Sequence, residues 1–187
     1  MKKDLPKRKN IRLQGYDYSQ AGCYFITICT EERHCILWEK DTDQADVGTH
    51  SVRPPLHSTL SLSNTGNIVK TAIENIPKIY SHVEIDIFTI MPNHIHMIMR
   101  IEGVEQGSGR TLCAPTDVPM DVVMRTPVTV SRIIKQCKEY VTKQVGFPIW
   151  QSGFHDHIIR NEAGYQRIWQ YIDENPARWM DDRYYAN

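Results

Sequence analysis

The 187 residues predict an α+β domain of the ferredoxin-like kind: a split β-α-β antiparallel sheet, RRM-like, with helices on one face. Two observations carry this prediction. Apolar spacing switches between period 2 and period 3.6 in the order strand, helix, strand, strand, helix, strand. An additional amphipathic segment then follows the last strand and gives an extra C-terminal helix. No repeat, low-complexity tract or composition break divides the chain. Residues 1–187 therefore read as one domain, with a basic tail over 1–12 and a flexible loop over 102–127.

Each element has its own signal. Residues 24–30 (YFITICT) are β-branched and aromatic, and predict the first strand. Residues 39–60 hold Gly48, Pro54 and Pro55 and predict a loop, with a short hairpin near Leu60 to Leu62. Ile68, Val69, Ala72, Ile73 and Ile76 recur at helical spacing, with Ser63 or Asn64 as cap and Pro77 as stop. Residues 83–90 alternate and predict a strand, which Met91-Pro92-Asn93 interrupts. Residues 94–101 predict the next strand. Thr126-Pro127 suits a helix start, and Val130, Ile133, Ile134, Cys137 and Val141 form the apolar stripe behind it. Residues 147–151 predict a short fourth strand. Asn161-Glu162 opens the last helix, whose stripe is Tyr165, Ile168, Trp169 and Ile172, and Asn175-Pro176 closes it. Trp150, Trp169 and Trp179 are expected to anchor the core or its rim, and Gly15, Gly22 and Gly153 to serve turns.

Composition excludes several classes. A hydrophobic fraction of 41% with 24% charged residues is a globular mix, not a disordered one. No apolar run approaches the ~18 residues of a membrane span. The opening residues lack the apolar core of a secretory signal. The five cysteines are odd in number and form no C-x-x-C pair, so neither a disulfide framework nor a four-cysteine zinc site is expected. Reduced cysteines point to a cytoplasmic protein. There is no phosphate-binding G-x-x-x-x-G-K-[ST], no G-x-G-x-x-G and no serine elbow, so no nucleotide cofactor is expected.

Lys plus Arg equals Asp plus Glu at 22 each, for a formal net charge of zero. The zero conceals an asymmetry. Lys2, Lys3, Lys7, Arg8, Lys9 and Arg12 against Asp4 make residues 1–12 a tail of +5, leaving −5 on the remainder. Tyr16, Tyr18 and Tyr24 follow the tail directly, a pairing of cations and aromatics that suits a nucleic-acid single strand. A second basic stretch holds Arg125, Arg132, Lys135, Lys138 and Lys143 against Glu139. A solvated tail without function is the plainer reading of the first stretch.

Along strand 94–101, Ile95, Met97, Met99 and Ile101 share the face that packs under the helices, and His94, His96, Ile98 and Arg100 share the other. Two imidazoles two residues apart on one strand face can bind one divalent metal, although most such pairs are ordinary surface. His155-Asp156-His157 is a second, weaker H-x-H. On the last helix Tyr171 and Asn175 stand one turn apart on one face. A tyrosine hydroxyl beside a metal-bound phosphodiester is a feasible nucleophile, and Asn175 can complete a metal shell begun by His94 and His96. The plainer alternative makes Tyr171 a packing residue and Asn175 a helix C-cap.

These segments carry a resemblance. Residues 91–96 (MPNHIH) resemble the HUH signature of single-tyrosine transposases, in which two histidines flank a bulky apolar residue. Residues 11–19 (IRLQGYDYS) with 22–27 (GCYFIT) resemble the start of the branch associated with repetitive extragenic palindromes (REP). Residues 150–162 (WQSGFHDHIIRNE) resemble the segment before its last helix, and 171–176 (YIDENP) its nucleophile helix. The likeness spans about residues 11–38, 60–102 and 129–182. It implies a metal-dependent enzyme that cleaves and rejoins single-stranded DNA beside hairpins through a 5′-phosphotyrosine. It further implies Tyr171 as nucleophile and His94, His96 and Asn175 as ligands of Mg2+ or Mn2+. Asn175 stands where many insertion-sequence relatives carry Gln. Lys7, Arg8, Lys9, Arg12, Tyr16, Tyr18, Lys135 and Lys138 become the candidate DNA contacts, and the protein is expected to act as a monomer or a homodimer. Two alternatives stay open: a zinc hydrolase using His94, His96 and one of His155 or His157, and a non-catalytic hairpin-binding module.

Overall fold

In the computed structural model, which describes residues 16–39, 61–102 and 128–185, the alternating segments pair as one antiparallel sheet. Its strands are β1 (Gly22–Cys29), β2 (Val83–Met91), β3 (His94–Ile101) and β4 (His155–Ile159), in spatial order β2-β3-β1-β4. This is the ferredoxin-like split β-α-β arrangement. The predicted tail with Lys7, Arg8, Lys9 and Arg12, nearly all of the 39–60 and 102–127 loops, and the Thr126-Pro127 cap lie outside the described residues.

One sheet face carries the core. Tyr24, Ile26 and Ile28 of β1 and Ile95, Met97, Met99 and Ile101 of β3 are all buried there. Against them pack α1 (Asn64–Glu74), the short α2 (Ile76–Ile79) and α3 (Val130–Val145), through Val69, Ala72, Ile73, Ile76, Val130, Ile133, Ile134 and Val141. Burial of such side chains stabilises by about 1.5–3 kcal/mol each.

The caps follow local chemistry. Ser63 Oγ accepts from the Gly66 amide at the start of α1. Thr129 is the N-cap of α3, placed C-terminal to the predicted Thr126-Pro127 start. Gly146 closes α3 with φ of 90°, a left-handed conformation that costs a glycine nothing. Pro77 occupies the first turn of α2 and does not simply stop α1, because that turn has no amide partner to lose. Gly22 is the first residue of β1, paired with Ile101, and not a turn residue.

Gly66 is required for a different reason. A Cβ there would lie 2.1 Å from the Leu37 carbonyl oxygen, a backbone atom that cannot swing aside. Gly66→Ala is expected to cost about 3 kcal/mol and to lower the melting temperature by roughly 6–12 °C in calorimetry.

Two strand predictions shift. Residues 147–151 supply only an isolated bridge, Thr30 to Trp150. The fourth strand is β4 instead, paired to β1 with Thr27 opposite His155 and Phe25 opposite His157. Its polar composition hid it, since both histidines sit on the sheet face that the core does not use. In β2 the register jumps between Ile85 and Ile87, leaving Asp86 as the extra residue of a bulge. The bulge aims Asp86 at Arg100 (3.0 Å) and at the Tyr165 hydroxyl (3.0 Å).

That hydrogen bond anchors α4 (Glu162–Glu174), which crosses the second sheet face. Asn161 caps it by accepting from the Gly164 amide. A 3-10 segment, Asn175–Asp181, continues past Pro176 and turns back over the same face. Of the predicted α4 stripe, Ile172 is buried and Tyr165 and Ile168 are half-buried, whereas Trp169 is exposed. Tyr171 stays 39% exposed beside that stripe, and Asn175 is buried just past the helix end.

Candidate active site

The site lies under the end of α4, on the sheet face opposite α1 and α3. The strand register puts Cys29 beside His94 and Thr27 beside His96, so all four side chains share that face. His94 and His96 are completely buried, because α4, the 3-10 segment and Tyr184 cover them. The sequence placed both imidazoles on the right face but left it open to solvent.

Their nitrogens converge. His94 Nε2 and His96 Nε2 are 3.0 Å apart. His94 Nδ1 lies 2.8 Å from Asn93 Oδ1, and Asn93 Nδ2 donates to the Tyr184 carbonyl at 2.8 Å. This second bond orients the Asn93 amide so that its oxygen must accept from Nδ1–H, which leaves Nε2 of His94 as a lone pair. His96 Nδ1 pairs with the Thr27 hydroxyl at 2.8 Å. Burial is the main force that holds both imidazoles neutral, pushing His94 down to about 4 and His96 further, helped by His94 beside it.

Tyr171 meets this pair. Its hydroxyl is 3.2 Å from His96 Nε2 and donates to Asp182 Oδ2 at 3.2 Å. The ring packs on His96 (5.2 Å between centroids) and edge-on to Phe25 (6.2 Å). Burial first, then the Asp182 carboxylate, pushes the phenol up to about 12. It therefore keeps its proton at neutral pH unless a base or a cation takes it. Asn175 is buried one turn further on, and its Nδ2 has no hydrogen-bond partner among the described residues.

Among the described residues, His94, His96 and Asp182 bring ligand atoms within 4.8 Å of one another. The donor set fits a divalent cation: two neutral imidazole nitrogens and a carboxylate come together. Sequence reasoning missed Asp182. It follows Tyr171 by eleven positions, and nothing local separates it from exposed Asp181; only the turn of the 3-10 segment brings it back. Tyr184 was missed as well. Its ring stacks on His94 at 4.6 Å, and the guanidiniums of Arg183 and Arg33 lie 4.6 and 5.1 Å from its centre.

The remaining candidates are elsewhere. Tyr16 and Tyr18 pack with Tyr24 in a tyrosine cluster, with ring centres 5.1 to 6.4 Å apart. Tyr24 faces the core, five residues along β1 from Cys29, or roughly 16 Å. Lys135 is exposed on α3 and pairs with Glu139 at 3.6 Å. Lys138 donates to the carbonyls of Gln151 (2.6 Å) and Gly153 (3.2 Å). Both lysines stand on a helix of the opposite sheet face, so the basic stretch of α3 does not merge with the site. His155 and His157 share the site face but join no metal-binding group with His94 and His96 among the described residues. The three-histidine zinc arrangement is therefore not formed, because β1 separates β4 from β3.

Known proteins place this arrangement. The fold is that of a REP-associated tyrosine transposase solved bound to a REP hairpin, with a TM-score of 0.56, 19% identity, and coverage of 90% of this chain and 74% of that one. No family model matches. A Haemophilus influenzae protein described only as uncharacterised is 34% identical over 189 residues, covering 96% of this chain and 94% of its own length. The chain belongs to one family with that protein. No helix of the described residues is long and apolar enough to cross a membrane.

Proposed function

We propose that this protein is a transposase-like, metal-dependent DNA strand transferase that cleaves single-stranded DNA beside hairpins through Tyr171. The observation that carries the reading is the Tyr171 hydroxyl 3.2 Å from His96 Nε2, at the edge of a buried cluster of metal donors. The shared fold with a REP-associated tyrosine transposase supports it.

His94, His96 and Asp182, with Asn175 beside them, would hold the metal. The reading names Mg2+ or Mn2+, with the two imidazole nitrogens and the carboxylate as the donors that would hold it. When bound, the ion supplies Lewis-acid polarisation of a phosphoryl oxygen and offsets charge in the transition state.

The chain's own residues do the rest. Asp182 Oδ2 already accepts the Tyr171 hydroxyl and is the first acceptor for its proton. The phenolate then attacks phosphorus in line, forming the tyrosyl phosphoester while the bond to the 3′ oxygen breaks. That oxygen takes a proton and leaves as a 3′-hydroxyl. The ester energy is retained, so another 3′-hydroxyl can reverse the step without ATP.

Asn93 acts through His94, as a positioning residue. Asn93→Ala is expected to weaken Mn2+ binding by about 10–100-fold in titration calorimetry, because the imidazole loses its fixed tautomer. The reading itself is tested by incubating the protein with a single-stranded hairpin oligonucleotide and Mn2+ and resolving the products on a denaturing gel. A covalent protein–DNA band is expected. Its absence with every hairpin substrate would leave the non-catalytic hairpin-binding module as the better description.

A further inference from the structure

Beside Tyr171 the site opens into a groove of about 460 Å³ between β1, β4 and α4, bordered by Phe25, Thr27, His155, His157, Arg167 and Arg183. The strand register builds its floor, because Thr27 opposite His155 and Phe25 opposite His157 share the face of His96. Phe25 links the groove to the site, since its ring is the neighbour of both Tyr171 and His96.

Two cations border this groove. Arg100, Arg178, Lys70 and Lys135 each pair with a carboxylate. Arg167 makes no ion pair among the described residues. Arg183 gives its guanidinium to the Tyr184 ring, 4.6 Å away, and to the Tyr184 hydroxyl at 2.5 Å. Two guanidiniums thus border one groove, with Asp156 also in its lining, next to an aromatic edge. Planar guanidiniums grip phosphate oxygens in pairs, and an aromatic ring offers a face or edge to any base. The volume is that of a small-ligand site, and suits one splayed nucleotide and not a duplex.

We propose that this groove seats the nucleotide adjoining the scissile phosphate of a DNA single strand, with Arg167 and Arg183 on its backbone phosphate and Phe25 against its base. The inference rests on the strand-transfer reading for the identity of the scissile phosphate. It adds cationic residues that sequence charge counting did not single out, since Arg167 and Arg183 lie outside both basic stretches.

The test measures binding and chemistry separately. Fluorescence anisotropy of a labelled single-stranded hairpin oligonucleotide is followed from about 50 to 200 mM salt for wild type, Arg167→Gln, the Arg167→Gln/Arg183→Gln pair, and Lys70→Gln as control. Arg167→Gln is expected to bind about 10-fold more weakly, with the log–log salt slope reduced by about 0.7, and the pair by about 1.4. Lys70→Gln should match wild type. The covalent band is scored on wild type and on Lys70→Gln, whose side chain stands on α1 away from the groove. Unchanged affinity and slope in both groove variants would overturn the proposal even if wild type forms the band. Weakened binding in the variants with no band in wild type would uphold the groove and remove Tyr171 as nucleophile. No binding by wild type would overturn both.

Discussion

Tyr171→Phe abolishes the covalent protein–DNA band, a loss on the order of 10⁴-fold or more in cleavage rate, while hairpin binding is retained. The substitution removes one oxygen and keeps the ring that packs on His96 and Phe25. Only the 3.2 Å contacts to His96 and Asp182 are lost. The side chain is 39% exposed, so its packing contributes little to stability. A melting temperature close to wild type, measured on the same preparation, assigns the lost band to lost chemistry. A band that persists in Tyr171→Phe means that another residue is the nucleophile.

His94→Ala, or chelation of divalent metal with EDTA, lowers the rate of covalent attachment by about 10³-fold, the several kcal/mol that a Lewis acid contributes to charge stabilisation. The two treatments differ in one respect that makes them useful together. Added Mn2+ restores the chelated wild type but not His94→Ala, whose remaining donors are His96 and Asp182. The variant also loses the bond to Asn93 and the stacking on Tyr184, so its stability is read by calorimetry alongside. Full activity in EDTA would show that Asp182 and the imidazoles suffice without a cation.

Much of the architecture was legible in the residues. Period-2 segments at 83–90 and 94–101, and helical stripes such as Val130, Ile133, Ile134 and Val141, describe surfaces that can be buried in only one way. The misread strand is instructive. Residues 147–151 are apolar enough to resemble a strand, but Pro148 interrupts them and Trp150 reaches the sheet through one bridge. The true strand, His155–Ile159, alternates polar residues toward the functional face, so hydrophobic periodicity has little to detect. On α4 the apolar stripe holds at Tyr165, Ile168 and Ile172 and fails at Trp169, which is exposed.

Charge patterning singled out Lys135 and Lys138, which stand on α3, with Lys138 held by two backbone carbonyls. Arg167 and Arg183, which border the proposed groove, are isolated in sequence and lie outside both basic stretches. A charge run is a one-dimensional property, and a binding surface gathers residues from several elements.

By itself the sequence determined the order and kind of the elements, the shared face of His94 and His96, and the one-turn spacing of Tyr171 and Asn175. These follow from local geometry, which repeats every two residues in a strand and every 3.6 in a helix. Only the tertiary structure decided that α4 lies across the second sheet face, that both imidazoles are fully buried, and that Asp182 returns to meet the Tyr171 hydroxyl. The first two depend on contacts between segments 75 or more residues apart, such as Tyr171 to His96 and Asn93 to Tyr184, and the third on the turn of the 3-10 segment. No local periodicity encodes such contacts. They arise because buried polar groups must find partners, and the folded chain offers those partners in one place.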